Sequence, residues 1–137
     1  MASITLNRKV LLRVIVSQEF KDSFTKQLQV LRSEIDTNIE KLKSEESRLL
    51  LNVGTTLGAQ ELTNIRARLS KERESQETTK REIESKIDEV KRLEIGTFYP
   101  YASIDGLVEI KEGDNLWEKL NGGEITIRDG IVISIKS

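Results

Sequence analysis

Residues 17–51, SQEFKDSFTKQLQVLRSEIDTNIEKLKSEESRLLL, and residues 59–94, AQELTNIRARLSKERESQETTKREIESKIDEVKRLE, decide the architecture of this chain. In the first stretch Phe24 and Leu31 take one heptad position, and Leu28, Ile35, Leu42 and Leu49 take the other. The first register runs on through Asn38 and Glu45, where the apolar seam thins. In the second stretch Leu62 and Leu69 continue at seven-residue steps to Gln76, Ile83 and Val90, with Ile65 and Ile87 flanking. The stretches hold 35 and 36 residues, so each makes a helix of roughly 50–55 Å at about 1.5 Å rise per residue. Between them lies Asn52-Val-Gly-Thr-Thr-Leu-Gly58, where Gly54 stops one helix and Gly58, beside Thr56, starts the next. Equal arms about a short turn predict an antiparallel coiled-coil hairpin spanning 17–95. A turn near residue 55 sets Gln76 and Thr79 about opposite Ile35, so the seam is apolar at its ends and polar in its middle. Polar seam positions fix register at a cost in stability. The acid-first pairs Asp22–Lys26, Glu77–Arg81, Glu82–Lys86 and Asp88–Arg92 support both helices on their exposed faces.

Outside the hairpin the period changes to two. Val10, Leu12, Val14 and Val16 line one face of a strand within 3–16, and Leu11 and Ile15 make its other face partly apolar, as in a strand covered on more than one side. Ser17 then offers a helix N-cap, with Glu19 in the first turn. After Gly96, four runs read as strands: Phe98–Ile104, Leu107–Lys111, Glu124–Arg128 and Ile131–Lys136. Asp105-Gly106 and Asp129-Gly130 sit between them as hairpin signals, and Pro100 marks an edge or a kink. Asp114 caps a short helix whose Leu116, Trp117 and Leu120 face one way, with Trp117 as a lid over the β-core, and Gly122-Gly123 ends it. The expected fold is α+β: a long antiparallel coiled-coil helical hairpin inserted after the first strand of a small antiparallel β-sheet or barrel. Residues 1–16 and 96–137 form the discontinuous β-unit, and residues 17–95 form the hairpin.

This order of parts resembles the YlqD family of small bacterial proteins. The resemblance rests on the opening Lys9-Val-Leu-Leu-Arg-Val-Ile-Val16, the charged heptad region, and two later segments, Gly106-Leu-Val-Glu-Ile-Lys-Glu-Gly-Asp-Asn-Leu116 and Glu124-Ile-Thr-Ile-Arg-Asp-Gly-Ile-Val132. It implies no activity and no assigned site residues. Some family members are encoded beside ribosome-maturation proteins, which implies a ribosomal setting for the family. In outline alone the parts are similar to prefoldin-type chaperones, whose helical hairpins project from β-structure.

Composition removes several chemistries. The 137 residues include no cysteine and no histidine, so thiolate and imidazole catalysis and the commonest transition-metal ligands are absent. Neither a cofactor nor a metal is expected. Glu45 and Glu46 point about 100° apart on a helix and make no carboxylate dyad. Asp105, Glu109, Glu112 and Asp114 lack the spacing of a known calcium loop. No run of 18 apolar residues exists to span a membrane, and the opening residues lack a signal-peptide layout, so the expected location is cytoplasmic. Net charge is −1, without the single-sign field of a dedicated duplex binder.

Two surfaces remain. Leu50, Leu51, Val53 and Leu57 gather at the hairpin tip, where a two-helix seam cannot take them all. The leading expectation is therefore a non-catalytic protein–protein interaction or scaffolding protein, a homo-oligomer, acting through its hairpin and that tip. The alternative is an RNA- or ribosome-associated factor whose β-unit presents Arg8, Lys9 and Arg13 with Tyr99 and Tyr101 as stacking platforms.

Overall fold

The computed structural model describes residues 2–51 and 58–137. Its elements are β1 (Ser3–Ile15), α1 (Gln18–Leu51), α2 (Ala59–Arg92), β2 (Phe98–Lys111), α3 (Leu116–Asn121), β3 (Glu124–Arg128) and β4 (Ile131–Lys136). The fold is α+β, with two 34-residue helices forming a hairpin after the first strand. Two compact units divide the chain: Met1–Asp22 with Leu93–Ser137, and Ser23–Arg92. The first turn of α1 thus goes with the strands.

In the strand unit, a four-stranded sheet has the order β2-β1-β3-β4. It is open, with β2 and β4 as its edges, and does not close into a barrel. It is also mixed rather than wholly antiparallel. β1 pairs antiparallel with β2 from Ser3↔Lys111 to Ile15↔Phe98 and parallel with β3 from Leu11↔Glu124 to Val14↔Ile127, while β3 and β4 are antiparallel. β1 is paired on both edges, with Val14 buried and Val10, Leu11, Leu12 and Ile15 half-buried. Ile4, Leu6, Val10, Leu12 and Val14 share one face, which α3 crosses on its way from β2 to β3; there the Arg8 guanidinium donates to the Lys119 carbonyl at 2.8 Å.

Three local expectations change. β2 runs without a break through Asp105-Gly106, because the residues on both sides of that dipeptide pair with β1 and not with each other. Gly106 sits there for space: a Cβ would lie 2.9 Å from Val10 Cγ2. Asn115, not Asp114, caps α3 by accepting from the Glu118 N–H, and Asp114 instead accepts from the Lys111 N–H at 2.8 Å. Trp117 is no lid, since 71% of it is exposed. A six-residue helix has one inward side, and half-buried Leu120 takes it.

Other signals read as expected. Asp129 and Gly130 have φ of +48° and +82°, the two positive values of a type I′ turn, and they join β3 to β4. Pro100 lies in edge strand β2, beside a register shift where consecutive β1 residues Leu12 and Arg13 pair with Ala102 and Pro100. Ser17 Oγ accepts from the Phe20 N–H at 3.0 Å, capping α1, and donates to Asp129 Oδ1. Backbone bonds from Val16 N to Thr97 O and from Gly96 N to Val16 O close the sheet where the hairpin leaves and returns. Val14, Val16, Tyr99 and Val108 are buried here, and the Phe20 ring lies 5.9 Å from that of Tyr99.

In the helical unit, burial locates the seam. Leu28, Ile39 and Leu42 are buried on α1, with Thr25, Arg32, Ile35, Glu46 and Leu49 half-buried. Beside Leu28, Ile35, Leu42 and Leu49 stand Arg32, Ile39 and Glu46, one residue on from the expected Leu31, Asn38 and Glu45, while Phe24 shares half burial with its neighbour Thr25. Leu31 lies off the seam, 47% exposed. On α2, Leu69, Ile87 and Val90 are buried, and Arg73, Gln76, Lys80 and Ile83 complete the row at half burial. The long stems of Arg32, Arg73 and Lys80 fill positions where an apolar count sees nothing. Asp36 bridges Lys80 at 2.7 Å and Glu46 bridges Arg73 at 3.4 Å, which fixes the register of the arms. Gln76 falls between these bridges, against Ile39 and Leu42 and not against Ile35. The hydrogen bond to Asp36 raises the Lys80 pKa above its usual 10.5. Lys80 thus keeps its charge through neutral pH.

These observations give three expected outcomes. Leu28→Ala destabilises by about 2–5 kcal/mol in urea denaturation, whereas Leu31→Ala costs less than about 1 kcal/mol; equal costs would restore the other register. Gly130→Ala costs about 1–2 kcal/mol because it places a Cβ in the left-handed region. The Asp36–Lys80 bridge supports the hairpin across neutral pH and is lost as pH rises through the raised Lys80 value, so Lys80→Gln lowers the melting temperature at pH 7 and makes a smaller difference at strongly alkaline pH.

Candidate interaction surfaces

At the end of α1, the sequence puts three leucines in a row where a helix can turn only one of them into the seam. Leu49 takes that place at half burial, leaving Leu50 52% and Leu51 83% exposed. Val53 and Leu57, the other members of the expected tip, lie outside the described residues.

The five residues of the expected nucleic-acid surface are not brought together. Strand alternation divides the basic ones: Lys9 and Arg13 share one face of β1, and Arg8 lies on the other. Each cation also has a partner. Lys9 bridges Asp105 directly across on β2, and Arg13 bridges Glu124 at 2.9 Å while lying 4.3 Å over the Phe98 ring. Arg8 turns to the Lys119 carbonyl, as described above. Tyr99 is 5% exposed beneath Phe20, so its face cannot receive a base. Tyr101 is partly exposed, with its ring 6.1 Å from that of Phe20.

Glu46 turns to Arg73 and Glu45 to solvent. Asp105 and Asp114 are engaged by Lys9 and the Lys111 N–H. Among the described residues, no group of three or more metal-ligating side chains gathers. Nor is any described helix long and apolar enough to cross a membrane.

Two apolar surfaces appear that sequence reading missed. Val30 and Leu31 stand exposed on α1 in a shallow recess with Ser23, Lys26 and Gln27. Assigning Leu31 to the seam hid this stripe. The second is β4, all six residues of which are exposed, including Ile131, Val132, Ile133 and Ile135. Its alternation marks a strand, but only the sheet order shows that the strand is an edge.

Comparison with known proteins bears on the family and the fold. The chain is similar to a protein of unknown function from Synechococcus sp. WH 8102, seen in a crystal structure, at 23% identity and a TM-score of 0.86; the match covers 99% of this chain and 96% of that one. No curated protein matches the chain. The family model described as "YlqD protein" matches residues 4–136. A match over nearly the whole length, through strands and hairpin alike, places this chain in the YlqD family.

Proposed function

We propose that this protein is a non-catalytic interaction or scaffolding protein that associates, with its own kind or another protein, through the helical hairpin and its apolar end. The observation that supports this reading is the exposure of Leu50 and Leu51 on the last turn of α1. A helix end so placed offers apolar area that water opposes and a protein surface relieves. The hairpin itself is suited to such a role, because ion pairs at Asp36–Lys80 and Glu46–Arg73 hold its register. The reading through Arg8, Lys9, Arg13 and the two tyrosines has less to support it, since those side chains are divided between two faces and engaged within the chain.

Light scattering on the full chain at micromolar concentration and two salt levels tests the proposal. The expected result is a mass above that of the monomer, insensitive to salt, which falls in a Leu50→Ser, Leu51→Ser double variant of unchanged helix content. A mass that the double variant leaves unchanged overturns the assignment to the hairpin end. Salt-sensitive RNA binding that is lost in Arg8→Ala and Lys9→Ala variants would replace this reading with the nucleic-acid one.

A further inference from the structure

The two edges of the sheet are built differently. β2 carries devices that discourage pairing with another strand: Pro100, an irregularity at Tyr101, and the charged residues Asp105, Glu109 and Lys111 along its length. β4 has one irregularity, where Ile133 is the extra residue opposite Thr126–Ile127, and a single charge, Lys136. It has no proline and no inward-pointing charge, and four of its six residues are β-branched apolar side chains exposed by 50–72%. An apolar edge with its backbone groups unpaired is a template for another strand.

The charges of β4 say which strand fits. Asp129 precedes the strand and Lys136 ends it, so the edge is acidic at its start, basic at its end and apolar between. Only an antiparallel copy of the same strand meets it with opposite charges at both ends; a parallel copy sets like against like. Because Ile133 is the extra residue, Ile131 and Ser134 lie on one face of β4 and Val132 and Ile135 on the other, so antiparallel pairing centred between Val132 and Ile133 sets Ile131 against the second copy's Ser134 and Lys136 opposite its Asp129. Ser17, which already donates to Asp129, is neutral and leaves that carboxylate's charge available. Glu124 is neutralised by Arg13, and Arg128 lies on β3, one strand in from the edge.

We propose that the open edge of β4 pairs with β4 of a second copy, antiparallel about a two-fold axis near Ile133, joining two four-stranded sheets into one of eight. This contact is separate from the hairpin end and does not depend on it. A six-residue strand pair is smaller than a standard interface, so the dimer forms with a Kd on the order of micromolar to millimolar.

The absence of cysteine makes the test direct. In the full chain, Ile133→Cys places two thiols near the axis, and under mild oxidation it gives a covalent dimer at least about tenfold faster than Ser103→Cys, an exposed position on β2. Sedimentation between roughly 100 µM and 1 mM, in the Leu50→Ser, Leu51→Ser background so that the hairpin end does not contribute, shows dimer, whereas adding Ile133→Lys or Ile135→Lys, with circular dichroism unchanged, weakens it by at least about tenfold. Lys136→Glu also weakens it, and Asp129→Lys combined with Lys136→Glu restores it. Equal cross-linking rates at positions 133 and 103 overturn the proposal. So does a dimer that the lysine variants leave intact in that background, or a chain that stays monomeric in it up to about 1 mM.

Discussion

A strand in the middle of a sheet must find hydrogen-bonding partners on both sides, and β1 finds its partners after a helical hairpin has intervened. Its antiparallel neighbour β2 and its parallel neighbour β3 both come from the far side of that hairpin. The rest of the strand unit follows from this demand. β2 must be long, because it answers thirteen residues of β1, and so it passes straight through Asp105-Gly106. β3 must run parallel to β1, so the chain has to cross a face of the sheet between β2 and β3. α3 supplies that crossing, and the Arg8–Lys119 hydrogen bond holds it down. At the base, the bonds among Val16, Gly96 and Thr97 make the hairpin an excursion between two paired strand ends.

The hairpin is held by a different kind of force. Its apolar contacts are few and concentrated, with Leu28, Ile39, Leu42, Leu69, Ile87 and Val90 as the buried positions. Between them the seam admits Arg32, Glu46, Arg73, Gln76 and Lys80. Such side chains contribute less to stability than leucine would, but they discriminate among registers: sliding one arm by a turn would break Asp36–Lys80 and Glu46–Arg73 together. Gln76 Oε1, Glu46 Oε1 and Arg73 Nε are buried without a hydrogen-bond partner of their own, so the middle of the seam is its least satisfied part.

Local signals in the sequence were legible, and long-range ones were not. The Ser17 cap, the glycine turn at Asp129-Gly130 and the existence and length of both helices depend on neighbours within a few residues, and the sequence displays them. The seam depends on the opposite arm. Leu31 looks like a seam residue and Ile39 like a bystander until Arg73 and Lys80 take up the facing positions. The same holds for Asp105-Gly106, whose hairpin character is cancelled by a strand nearly a hundred residues earlier. Of the candidate surfaces, Leu50 and Leu51 were legible because a run of three leucines exceeds what one helix face can bury. The basic residues looked like a surface because their acidic partners, Asp105 and Glu124, come from the far end of the chain. Trp117 misled for a simpler reason: a large ring in a short helix invites a burial that the helix has no room to provide.

The placement of β1 before the hairpin has a consequence for how the protein comes to exist. As the chain is synthesised, β1 emerges before either of its partners, which are separated from it by the whole of α1 and α2. An apolar strand would wait unpaired through that interval, at the stage when off-pathway association is most damaging. The hairpin shortens the wait in another sense. Its arms are separated by only seven residues of sequence, so contacts between them are local, and forming them brings the ends of the excursion toward each other before any strand docks. The entropic cost of closing a long loop onto β1 then reduces to that of closing a short one.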